Sequence, residues 1–242
     1  MEHDFTRGNI LKTIAVFAPP YMLSYFLQML YGMADLYMMG QFSGAAGITA
    51  VGNGAQTLYI ITVTLVGLVE KMIGFLFIVP SSMGTTVSAL MAQNAGAGKG
   101  DRARQVLRCA MTISVVYGCL ITVLMWLVAP AFIGFFAKDP AVVAAGTGYM
   151  HSYIFDAIFA GIHICFSGFF AAYGKSYIGF AHNVLAVALI RVPGAWLPSN
   201  AYSDTLFPMG IASPCGSILS AVICVVALTV LNRRGAFDKP MA

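Results

Sequence analysis

Residues 105–128 read QVLRCAMTISVVYGCLITVLMWLV, and beyond Arg108 no position in the run carries a charge. A helix needs roughly 20 mostly apolar residues to cross the hydrocarbon of a bilayer. This run meets that length without interruption, and its reading decides the class of the whole chain. The composition agrees. Of 242 residues, 59% are hydrophobic and 9% are charged, against roughly 25% charged in a soluble domain. Such a chain could not cover a water-facing surface with polar groups, so an integral membrane protein is expected. The formal charge of +4 is modest and gives no nucleic-acid signal.

Working outward, apolar stretches of spanning length occur at 10–38, 48–68, 72–92, 105–128, 147–172, 178–199 and 207–231. Short loops join them, and no soluble domain is left over. The fold expected is all-α: a polytopic membrane helix bundle of six to seven transmembrane helices. The N-terminal MEHDFTRGNILK sets acids beside its bases, and the apolar run behind it is too long for a cleaved signal. The first helix should therefore stay attached. The five cysteines show no CxxC or zinc spacing and read as small buried hydrophobes.

The basic residues gather in patches. Arg7 and Lys12 precede the first segment, Lys99, Arg102, Arg104 and Arg108 follow the third, and Arg233, Arg234 and Lys239 follow the last. The positive-inside rule places all three patches, and so both termini, in the cytoplasm. Four spans between 105 and 231 satisfy this. The front half does not, because 48–92 must then return with an odd number of crossings, although its apolarity suggests two segments. Glu70-Lys71 lies between those segments, and each charge costs about 2.5–3.5 kcal/mol at the bilayer centre. A single helix over 48–92 would be about 68 Å long at 1.5 Å per residue, roughly twice the hydrocarbon thickness.

Several polar residues fall on helical faces. Ser24, Gln28, Tyr31 and Asp35 are spaced by four, three and four, which makes one stripe. An acid inside a membrane segment faces protein or water and can exchange a proton for a cation. An interfacial contact is the alternative, since Asp35 is near the segment's end. In 147–172, Tyr149, Ser152, Asp156, His163 and Ser167 fall on one face, with Ala160 between. That pattern suggests an ion or proton path, with His163 serving either as a relay or as a packed histidine. Arg191 either snorkels to the headgroups or pairs with a carboxylate in a cavity. Pro193 and Pro198 argue for a non-ideal helix lining something wet, which favours pairing. No metal site is expected. The absence of GxSxG, HExxH, Walker or paired-glutamate motifs argues against an enzyme.

The stretches AVFAPPYMLSYFLQMLYGMADLYMMGQFSGAAGITAVG, VEKMIGFLFIVPSSMGTTVSALMAQNAGAGKGDRAR, FAKDPAVVAAGTGYMHSYIFDAIFAGIHICFSGFFAAYGKS and the RVP at Arg191–Pro193 resemble, in that order, parts of the multidrug and toxic compound extrusion family. The first resembles that family's first helix and the start of its second. The others resemble its eighth, tenth and eleventh helices. Transporters of that family have two six-helix halves and about twice this length, arranged as parallel repeats around a cavity. By this resemblance, residues 1–68 form a partial N-lobe with the first and second helices. Residues 69–242 form a near-complete C-lobe with the eighth to twelfth. The third to seventh helices would be missing at a junction near Leu68-Val69, where the charge topology also fails.

The resemblance implies efflux of organic, often cationic, compounds by alternating access, coupled to Na⁺ or H⁺ and needing no other cofactor. It implies multi-pass residence in the plasma (inner) membrane. Its coupling acids map onto Asp35 and Asp156, and Gln28, Tyr31, His163 and Arg191 are the candidate cavity residues. The partner acids of both would lie in the missing helices, so a second copy or a full-length relative is an expected partner, besides the organic substrate and membrane lipid. Two other readings stand beside this one. The chain could be a non-transporting remnant or accessory subunit, or a flippase-like lipid exporter with a broader basic cavity.

Overall fold

The computed structural model describes residues 9–15, 18–19, 67–194, 197 and 206–234. These residues are helical almost throughout, with no strand among them. The elements are α1 (Gly67–Leu76), α2 (Ile78–Gly96), α3 (Gly100–Phe136), α4 (Pro140–Tyr153), α5 (Asp156–Ala172), α6 (Ser176–Gly194), α7 (Phe207–Gly210) and α8 (Ala212–Arg233). A short helical piece at 10–15 packs against them through Ile14. Helices α3 and α6 and the α7–α8 run Phe207–Arg233 are each long and apolar enough to cross a membrane. The bent pairs α1–α2 and α4–α5 raise the count to five spans if each is taken as one. The chain is an all-α membrane helix bundle.

The expected segments at 72–92, 105–128, 178–199 and 207–231 each fall on one of these spans. Segments 10–38 and 48–68 lie almost wholly outside the described residues, and with them the fold of the proposed N-lobe. One expectation needs correction. The stretch 147–172 is not a single straight helix, because it bends by 47° between Tyr153 and Asp156. The α1–α2 pair bends by 51° at Phe77.

Both breaks are held by the same neighbour. Tyr117 on α3 donates its hydroxyl to the carbonyl of Leu76 at 2.9 Å. Thr122, five positions on, donates to the carbonyl of Ile154 at 3.2 Å. A broken helix in an apolar medium must find partners for the groups it frees. The two hydroxyls are about 7.5 Å apart along α3, at 1.5 Å per residue, which sets the breaks at similar depth near that helix's middle.

The ends of the bundle are unlike. Lys99, Arg102, Arg104 and Arg108 lie around the α2–α3 turn, Lys175 precedes α6, and Arg233 and Arg234 end α8. Arg104 reaches Asn232 at 3.4 Å, so the first and last of these groups share one end. At that end α2 and α5 stop with Gly98 (φ +70°) and Gly174 (φ +67°) in the left-handed region. There Lys99 N–H bonds the Asn94 carbonyl and Lys175 N–H the Phe170 carbonyl, closing both helices. At the other end Asp139 caps α4 through Ala141 N–H at 2.9 Å, with Pro140 as its first residue. Tyr149 donates to Glu70 at 3.3 Å there. Glu70-Lys71 thus lies at the end of the bundle opposite the basic residues.

The buried apolar residues form two clusters. One, toward the basic end, joins Val87, Leu90 and Met91 of α2, Val106 and Ala110 of α3, Phe166 and Phe170 of α5 and Cys224 of α8. The other joins Met72 and Leu76 of α1, Met125 and Ile133 of α3, and Met150 and Ile154. Small residues let the helices approach closely. A side chain at Gly168 would strike the Gly84 carbonyl oxygen, and one at Gly118 would come within 2.6 Å of the Ala157 carbonyl oxygen. The outer faces are apolar. On α3, Leu120, Val123, Leu124 and Leu127 are all exposed, at one-turn spacing, which suits a surface solvated by lipid tails.

Candidate functional site

Asp156 opens α5 at the bend, on the boundary between the two apolar clusters, and it is 1% exposed. Ser213 of α8 donates to its Oδ2 at 2.7 Å. The Arg191 guanidinium stands 3.6 Å from the same oxygen. Arg191 also donates to Ser217 Oγ at 2.9 Å, and the His163 ring meets that hydroxyl at 3.3 Å through Nε2. His163 packs edge-on against His182 of α6, with ring centroids 5.6 Å apart. His182 Nε2 lies 2.9 Å from Ser167 Oγ, and Ser220 donates to the His182 carbonyl at 3.4 Å. Three helices therefore line a polar file leading from the bend toward the basic end.

Local sequence explains the placement. Residues Val187–Arg191 form a π-turn just ahead of Pro193. Proline lacks an N–H and its ring clashes with the carbonyl four residues back, so the helix widens by one residue there. That widening carries Arg191 onto α8. Gly216 leaves room for its stem, since a Cβ at that position would meet Arg191 Cγ at 2.8 Å. On α8, Ser213, Ser217 and Ser220 recur at four and three, which is one helical face.

Four buried polar atoms in this cluster have no hydrogen-bond partner among the described residues: Asp156 Oδ1, His163 Nδ1, His182 Nδ1 and Arg191 Nε. Buried polar groups in native proteins are almost always paired, with protein, water or an ion. These four atoms mark the polar centre of an otherwise apolar bundle. No group of three or more His, Cys, Asp or Glu side chains that could hold a metal ion occurs among the described residues.

Asp156, His163 and Arg191, all singled out in the sequence, come together here. Asp35, Gln28 and Tyr31 lie outside the described residues. The face drawn through Tyr149, Ser152, Asp156, His163 and Ser167 does not survive the bend. Tyr149 turns to Glu70, Ser152 donates to the Tyr149 carbonyl at 3.0 Å, and only the last three join the polar file. His151, off the stripe, stacks on Trp126 at 4.6 Å. Sequence reasoning missed His182, Ser213, Ser217 and Ser220. The serine spacing was available as a signal, of the same kind as the stripe on the first segment. His182 gave none, being a lone histidine in an apolar helix.

The chain is 25% identical over 157 residues to Protein DETOXIFICATION 14 of Arabidopsis thaliana, a match covering 65% of this chain and 32% of that protein. It is 27% identical over 153 residues to a FAD transporter of Shewanella oneidensis, covering 62% of this chain and 32% of the relative. The chain thus spans about a third of the length of these relatives. No solved structure matches. The MatE family model matches residues 63–197, which hold α1 to α6 with Asp156, His163, His182 and Arg191. The chain belongs to the MatE family.

Proposed function

We propose that this chain is the cation-coupled lobe of a membrane transporter that exports organic compounds, with Asp156 as its coupling group. The observation that carries this reading is the pairing of Asp156, buried at the bend of a broken span, with the half-buried Arg191. Discontinuous helices at mid-membrane are where secondary transporters hold their coupling ions. A proton or Na⁺ arriving at Asp156 cancels the charge that holds Arg191. Arg191 sits on the π-turn beside Pro193, so releasing it frees α6 to move against α8. Coupling of ion arrival to helix movement is what alternating access requires. The basic end faces the cytoplasm of the plasma membrane in this reading, by the positive-inside rule. The names of the two relatives, one a detoxification protein and one a FAD transporter, support an organic substrate and leave its charge open.

The test is efflux of a fluorescent organic cation from drug-sensitive cells expressing the chain, with a collapsed-gradient control. Asp35→Asn and Asp156→Asn should each lower gradient-driven efflux without lowering the amount of protein in the membrane. Unchanged flux in both would overturn the assignment. The coverage of about a third of each relative favours a second reading, in which this lobe packs against a second copy or a full-length relative. Efflux that appears only when such a relative is co-expressed would select it.

A further inference from the structure

At the basic end, between the α3 face and the segment at 9–11, lies a cleft of about 480 Å³ whose polar lining is Asn9, Arg102, Gln105 and Arg108. A second depression of about 520 Å³ begins at Arg108 and continues along α3 past Met111, Val115 and Val116, with Ile162 of α5 as its other wall. Arg108 borders both. The first is cationic, and the second is almost wholly apolar. From Arg108 to Val116 the groove runs about 12 Å at 1.5 Å per residue, close to the roughly 15 Å of hydrocarbon in one leaflet. Arg104, on the same helix, stands 3.7 Å from Asp101 and 3.4 Å from Asn232.

We infer that the two depressions together form a binding site for one anionic phospholipid. The phosphate sits between Arg102 and Arg108, and one acyl chain lies along Met111, Val115 and Val116 against Ile162. A free anion would account only for the cationic cleft, and a neutral lipid tail only for the groove. Their junction at a single arginine, at the depth where headgroups meet tails, fits a molecule that has both parts. Basic pockets between helices at the membrane surface recognise anionic headgroups in this way. The inference does not depend on whether the chain transports.

The test is native mass spectrometry of the full chain in mild detergent, with dioleoylphosphatidylglycerol and dioleoylphosphatidylcholine supplied in equal amounts. One phosphatidylglycerol per chain should be retained in preference. Arg108→Gln, at an exposed position, should lower that preference about fivefold, and Arg102→Gln with Arg108→Gln by more. Val116→Trp, which keeps every charge but fills an exposed part of the groove, should lower retention as well. Soluble glycerol 3-phosphate should not compete. Equal retention of the two lipids, retention unchanged in the arginine variants, or full competition by glycerol 3-phosphate would each overturn the inference. The last would leave a free-anion site in its place.

Discussion

Gly216 on α8 lies directly beneath the side chain of Arg191, close enough that a Cβ there would come within 2.8 Å of Cγ and 2.9 Å of Nε. A backbone position with no side chain thus sets where the guanidinium can lie. Gly216→Val should push Arg191 away from both Ser217 and Asp156. A charged hydrogen bond is worth about 1.5–3 kcal/mol, so gradient-driven flux in proteoliposomes should fall by about tenfold or more. Gly96→Val, where nothing stands within 4 Å, is the control and should leave flux unchanged.

The Asp156–Arg191 pair is asymmetric, with side chains 2% and 35% exposed. Removing one partner leaves the other in an environment arranged for its opposite charge. Asp156→Asn and Arg191→Gln should each lower the melting temperature of the purified protein. The double variant should lose less than the sum, with a coupling of about 0.5–3 kcal/mol. Additive losses would show that the two groups do not interact.

The hydroxyls of Tyr117 and Thr122 hold the two bends. Tyr117→Phe and Thr122→Val keep shape and remove the donor. Each should cost about 0.6–1.5 kcal/mol, the range for hydrogen bonds in water and in membranes. Amide exchange should rise at residues 76–78 in the first variant and at 154–157 in the second. No local change would mean the bends hold themselves.

Helix contacts through glycine make a sharper prediction. Gly168→Ala sets a methyl against the Gly84 backbone, which cannot yield as a side chain can, and should destabilise by about 1–3 kcal/mol. Gly134→Ala, in α3 with open space around it, should instead stabilise by about 0.5–1 kcal/mol through helix propensity. Thermal unfolding in detergent distinguishes the two directions.

The proposed topology is checked by single-cysteine labelling in intact cells. In a chain freed of its native cysteines, Lys138→Cys should react with an impermeant maleimide added outside. Lys99→Cys and Lys175→Cys should react only after permeabilisation. The reverse pattern would invert the bundle and with it the assigned faces.

The sequence by itself determined the class, the apolar segments beyond residue 67 and the identity of the basic end. Each depends on properties a linear pattern carries: apolar length set by bilayer thickness, and charges excluded from its interior. Residues 105–128 show a span because every position reports the same environment. Asp156 and Arg191 were legible as candidates for the same reason, since a charge within an apolar run is conspicuous. Their pairing was not, because it depends on the bend at Tyr153–Asp156 and the π-turn at Val187–Arg191. Both are departures from a 3.6-residue repeat, and a periodic reading assumes that repeat throughout. The stripe through Tyr149 and Ser152 went wrong at that bend. His182, Ser213, Ser217 and Ser220 became part of the site only where α5, α6 and α8 converge. A serine or a histidine says little alone, and its role depends on which polar atoms the packing of three helices brings within hydrogen-bonding distance of it.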